Sequence, residues 1–124
     1  MSPATDVLVI AASSGENLQL AGRFAESALQ QGLSAEVLDI TTLDLPLYNP
    51  RLHAAAGVPE TVPALSRRMA AVPRWVICAP EYNGSIPPVL TSAIAWLSVQ
   101  GDDFRALFNG RPVAIATHSG GGGH

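Results

Sequence analysis

The sequence contains no lysine, one cysteine, and few charged residues of any kind, 14% in all. Each scarcity excludes something. Nucleic-acid binders usually carry a basic stripe, whereas the seven cationic residues here are scattered arginines and the net charge is −3. No nucleic-acid partner is expected. A lone cysteine, Cys78, cannot close an internal disulfide and suits a reducing compartment. The apolar runs fall far short of the ~20 residues that cross a bilayer, so no membrane partner is expected either. Residues Met1 to Asp6 lack a basic region followed by an apolar stretch, and a cytoplasmic location is expected.

What is present describes a globular chain. Apolar residues make up 48% of 124 positions, which predicts one domain over residues 1–124 with a single core. Val7 to Ala11 is β-branched and apolar without alternation, as a strand buried on both faces of a parallel sheet reads. A helix pattern follows. Leu20, Ala21, Phe24, Ala25 and Ala28 share one face, Arg23, Glu26 and Gln30 the other, with Asn17 as N-cap and Gly32 at the exit. Ala35 to Ile40 predicts a half-buried strand near an edge. Asp44 to Arg51 holds two prolines and reads as loop.

Val62, Leu65, Met69 and Val72 predict a second helix, with Arg67 and Arg68 facing away and Pro73 closing it. Trp75 to Ala79 predicts a third strand. Ser85 can cap a helix with Pro87 and Pro88 in its first turn that buries Ile86, Leu90, Ala93 and Leu97. Pro112 to Ala116 predicts a fourth strand. Alternating strands and helices imply parallel βαβ units. The loops at 12–18, 80–85 and 117–124 then gather at the carboxyl edge, where open α/β sheets bind ligands.

The first of these loops, Ala12-Ser13-Ser14-Gly15-Glu16-Asn17-Leu18, offers small residues, hydroxyl donors and a helix N-terminus to an anion. It is equally readable as a capped turn without a ligand. It matches neither G-x-G-x-x-G nor a lysine-bearing phosphate loop. The second loop is more specific: Ala79-Pro80-Glu81-Tyr82-Asn83-Gly84-Ser85-Ile86-Pro87-Pro88. Gly84 would let backbone approach a ligand closely there, since a Cβ would intrude. Cys78 reads as core packing, and glycine at 84 breaks the phosphatase pattern that would end in arginine. His118 and His124 beside the glycine run read as incidental, and no metal site is expected. Asp102 and Asp103 read as loop residues before Phe104.

The second loop resembles that of the NAD(P)H-dependent FMN reductases and their quinone-, azo- and chromate-reducing relatives. The family's loop runs Pro-Glu-Tyr-Asn, a small residue, then Ser-Ile-Pro. The likeness continues through Leu90, Ala93 and Trp96, reaches back to Leu45–Pro50, and includes the glycine run Ser119 to Gly123. It implies an α/β, flavodoxin-like doubly wound parallel sheet in strand order 2-1-3-4, with the family's fifth strand missing from this chain. It also implies FMN as resident cofactor and NAD(P)H as co-substrate. Ser13, Ser14, Asn17 and Leu18 would hold the phosphate. Pro80, Glu81, Tyr82, Asn83 and Gly84 would line the isoalloxazine ring, and Ser119, Gly120 and Gly121 would close the far side. No catalytic side chain is implied, because the hydride chemistry belongs to the cofactor.

The electron acceptor implied is a small molecule: a quinone, azo dye, metal oxyanion or free flavin. A homodimer or homotetramer is also implied, with the apolar content around Trp96, Leu97, Phe104 and Phe108 as its motive, although that stretch reads equally as ordinary core. In two respects the chain departs from the family. Glu16 is the only charge in the phosphate loop, and the segments that follow the glycine run are not in the sequence. The fourth strand is therefore expected to be an exposed apolar edge, completed by further natural sequence or by another chain. Two alternatives from other classes are a flavodoxin-like electron carrier and a non-catalytic remnant. A phosphoacceptor signalling domain has this length, but it needs acidic residues after the first strand, an aspartate ending the third and a later lysine.

Overall fold

A computed structural model describes residues 5–80, 86–99 and 105–117. Its strands are β1 (Val7–Ala11), β2 (Ala35–Asp39), β3 (Arg74–Cys78) and β4 (Val113–Ala116), all parallel in the order β2-β1-β3-β4. This is the expected 2-1-3-4 order. The helices are α1 (Glu16–Gln30), α2 (Pro50–Ala56), α3 (Thr61–Ala70), α4 (Pro88–Ser98) and the short α5 (Arg105–Phe108), with a 3₁₀ turn at Ile40–Thr42.

Burial on β1 explains its unbroken apolar run, because both faces of the strand are covered. Leu8 and Ile10 face a core that also holds Val62, Leu65, Met69, Trp75, Leu90, Trp96 and Leu97. Val7, Val9 and Ala11 face the opposite way, toward Ala21 of α1 and Cys78. Successive strand residues point to opposite faces, so each face receives its own helix layer. β2 lies at one edge, and only Leu38 of its five residues is fully buried. Gly32 leaves α1 with φ of +82°, a left-handed conformation that glycine adopts without steric cost.

The structure corrects the sequence reading at several places. Asp44–Arg51 is not loop to its end. Pro50 opens α2 at N1, where its missing N–H costs nothing, and the Asn49 side chain accepts from Arg51 N–H at 2.8 Å. Helix α1 begins at Glu16 with Gly15 as N-cap, so Asn17 lies inside the first turn rather than capping it. Phe24 is 37% exposed rather than core, because it sits at the margin of the α1 layer. Pro87, not Ser85, occupies the N-cap of α4, and Ile86 is half exposed rather than buried. Ser85 itself lies outside the described residues, as do Asp102, Asp103, Phe104, His118 and His124.

Trp96 and Leu97 are core residues, not association surface. Trp96 donates from Nε1 to the Pro46 carbonyl at 2.7 Å and meets Tyr48 edge-on at 4.9 Å. Phe108 packs half-buried against Trp75. Arg111 covers the same indole, 4.5 Å from its ring, and donates to the Leu107 and Val72 carbonyls. This clasp ties the α5 segment to the start of β4. β4 is the second edge among the described strands, and Ile115 is 78% exposed on it. That exposure matches the expected apolar edge, the kind of surface that invites strand pairing between molecules.

Candidate functional site

The site is set by strand register. Ala11 lies beside Asp39 of β2 and Cys78 of β3, and Cys78 lies beside Ala116 of β4, so the four strands finish level. Hydrogen bonds continue the pairing one residue further, from Ala12 N–H to the Cys78 carbonyl and from Ala79 N–H to the Ala116 carbonyl. The loops after β1 and β3 therefore start side by side.

A cleft of about 460 Å³ opens there, lined by Ala12, Ser13, Ser14, Gly15, Thr41, Pro87, Pro88 and Val89. Its floor is the loop from β1 into α1. Gly15 N–H donates to Ser13 Oγ at 3.3 Å, folding the loop over the helix start. The Ser13 oxygen accepts in that bond, so its hydroxyl proton is not used there. Small side chains keep the backbone accessible, and a Cβ added at Gly15 would meet no atom within 4 Å. The N-terminal end of α1, with its outward N–H groups and partial positive charge, favours an anion in the cleft.

The expected site residues divide into four groups. Ser13 and Ser14 line the cleft together. Asn17 is 3% exposed in the first turn of α1, and Leu18 packs on the α1-side core while its N–H donates to the Gly15 carbonyl at 3.0 Å. Pro80 stands half-buried just beyond the end of β3. Glu81, Tyr82, Asn83, Gly84, Ser119, Gly120 and Gly121 lie outside the described residues. Glu16 is exposed at the first position of α1.

Sequence reasoning missed Thr41 and the cleft wall formed by Pro87 to Val89. Thr41 enters because β2 pairs directly with β1, a tertiary adjacency that no local pattern displays. The two prolines at the start of α4 were legible as a helix entry, but not as a wall.

A second, apolar hollow of about 430 Å³ shares Pro88 with the first and is lined by Leu47, Tyr48, Ile86, Thr91, Ser92 and Ala95. Tyr48 N–H donates to Ser92 Oγ at 2.8 Å and fixes the loop against α4. Cys78 closes the end of β3 with its thiol fully buried, and burial pushes its pKa above the ordinary thiol value. The neutral thiol is a poor nucleophile. Native protein at pH 8 should react with iodoacetamide at least about tenfold more slowly than urea-unfolded protein. Equal rates would place Cys78 at an accessible surface.

The family model described as NADPH-dependent FMN reductase matches residues 5–124. Among curated proteins, a quinone reductase of Escherichia coli is 42% identical over 78 residues, covering 63% of this chain and 40% of its own length. An NAD(P)H-dependent FMN reductase of Pseudomonas aeruginosa is 34% identical over 107 residues, covering 81% of this chain and 55% of its own. The chain thus spans about half the length of these relatives or less. Among solved structures, the flavoenzyme NAD(P)H:acceptor oxidoreductase of Paracoccus denitrificans superposes with a TM-score of 0.68 at 28% identity, over 91% of this chain and 60% of that one. An azoreductase of Bacillus anthracis superposes with the same score at 18% identity, which speaks for the fold alone. Among the described residues no helix is long and apolar enough to cross a membrane. By fold and by sequence, the chain belongs to the NADPH-dependent FMN reductase family.

Proposed function

We propose that this chain is the flavin-binding portion of an NAD(P)H-dependent FMN oxidoreductase that serves a small electron acceptor. The observation that carries the reading is the cleft at the start of α1: neutral hydroxyl and backbone donors, a helix N-terminus and room for one phosphate with its attached chain. FMN bound there would supply hydride transfer from the nicotinamide and onward reduction of the acceptor. The protein's own part is placement. Ser13, Ser14, Asn17 and Leu18 would hold the phosphate, with Gly15 leaving the front of the cleft open. Pro80 to Gly84 and Ser119 to Gly121 would lie along the ring, since their loops extend from the ends of β3 and β4.

The acceptor class, whether quinone, azo dye, metal oxyanion or free flavin, belongs to this proposal, as does a cytoplasmic setting in which Cys78 stays reduced. The test is rapid mixing of FMN-loaded protein with NADPH or NADH, followed at the flavin absorbance band. Direct bleaching supports a reductase. Bleaching only after a separate reductase is added would make the chain an electron carrier instead.

Self-association is part of the same reading, on a different surface from the one first expected. Leu47 and Ile86 are exposed at the apolar hollow, and Ile94 is exposed elsewhere on α4; exposed apolar side chains on and beside one helix favour burial against a second copy. In sedimentation at micromolar concentration the parent should run as a dimer or tetramer and Ile94→Asp as a smaller species. A monomeric parent would remove the proposal.

A further inference from the structure

The sides of the cleft at the start of α1 differ in hydrogen-bonding character. The β1–α1 side offers donors, as described above. On the other side stands Thr41, and both of its donors are already committed to one partner. Its N–H donates to Asp39 Oδ1 at 2.9 Å, and its hydroxyl donates to the same oxygen at 2.6 Å. A hydroxyl has one proton, so toward the cleft Thr41 can only accept. Behind it stands the Asp39 carboxylate at the end of β2, directly beside Ala11 in the sheet register. Adjacent strands lie ~4.8 Å apart, so this negative charge sits next to the strand that leads into the phosphate loop.

We infer that Asp39 and Thr41 form an anion-rejecting rim that restricts the cleft to ligands with one terminal phosphate. The inference rests on the proposed flavin reading and adds the specificity element to it. A phosphate at the Ser13–Gly15 end meets donors. A second phosphate linked to the first, as in FAD or a dinucleotide, meets two prolines without N–H donors on the apolar Pro87 to Val89 side, and on the Thr41 side an acceptor-only hydroxyl backed by a carboxylate. Ligand hydroxyls, by contrast, can donate to Thr41. The pair therefore discriminates against a pyrophosphate by repulsion, while the donors opposite supply the attraction.

Asp39→Asn tests this with little disturbance of the turn, because the amide oxygen can still accept from Thr41. FMN, FAD and riboflavin would be titrated into parent and variant by absorbance difference or calorimetry. The expected result is FAD affinity raised about three- to tenfold relative to FMN, the range that removing one partly screened charge supports. Riboflavin affinity should be unchanged, and the gain should shrink at high salt. Glu36→Gln, the same charge change further back on β2, where the carboxylate pairs with exposed Arg68 at 3.4 Å, should leave the FAD to FMN ratio as it was. An unchanged ratio in Asp39→Asn, with FMN still bound, overturns the rim and leaves the cleft reading standing. An equal gain in Glu36→Gln also overturns it, since the effect would then be general charge. A parent that binds neither flavin nucleotide removes the cleft reading and the rim together.

Discussion

Gly15→Asp is expected to cut FMN affinity by at least about tenfold, leaving riboflavin affinity nearly unchanged and the fold as stable as before. Gly15 lines the cleft and is the N-cap of α1. A carboxylate there would stand within a few ångströms of a bound phosphate, where like charges repel by about 1 kcal/mol in water and ~4 kcal/mol in a partly excluded site. The same substitution suits the helix. Aspartate is a preferred N-cap and improves on glycine by only a few tenths of a kcal/mol, and the added Cβ finds open space. Binding should therefore fall while stability does not. Parallel titrations and a thermal melt check both. A variant that loses riboflavin as severely as FMN would show that the change damaged the pocket rather than its charge.

Trp96→Ala should be the most destabilising single substitution in the α4 layer, at about 3–5 kcal/mol. Trp96 is fully buried, its indole N–H is bonded to the Pro46 carbonyl, and its ring meets Tyr48 and His53 edge-on. Truncation would leave a cavity and strip the Pro46 carbonyl of this donor. The loss is a large share of the ~5–15 kcal/mol that holds a typical domain. Because Pro46 and Tyr48 belong to the connection between β2 and α2, the damage should spread from α4 to that loop. Urea unfolding followed by circular dichroism measures it. Trp96→Phe should recover part of the loss by filling volume without restoring the hydrogen bond. A midpoint for Trp96→Ala within experimental error of the parent would mean that Trp96 does not anchor this layer.

The elements that sequence made legible are those whose pattern answers to burial alone. The unalternating run from Val7 to Ala11 revealed a central strand because both faces are covered, and Val62, Leu65, Met69 and Val72 revealed α3 because one helical face is buried. Proline was harder to read. Pro46 and Pro50 look alike as breakers, yet Pro50 starts a helix because Asn49 caps it. Trp96 read either as association surface or as core, because an aromatic in an amphipathic helix has no label for which layer it joins. Its hydrogen bond to Pro46 spans fifty positions, a distance that periodicity does not encode. In the site, Ser13 and Ser14 were legible from loop chemistry. Thr41 was not, because its place depends on β2 lying next to β1.

The central claim is that the cleft between the β1–α1 loop and the start of α4 recognises the terminal phosphate of a flavin. Paired titrations of the chain with FMN and riboflavin, which differ only in that phosphate, test it most directly. FMN should bind saturably and at least about tenfold tighter than riboflavin, in keeping with charge-assisted hydrogen bonds to one phosphate. Equal affinities for the two would contradict it.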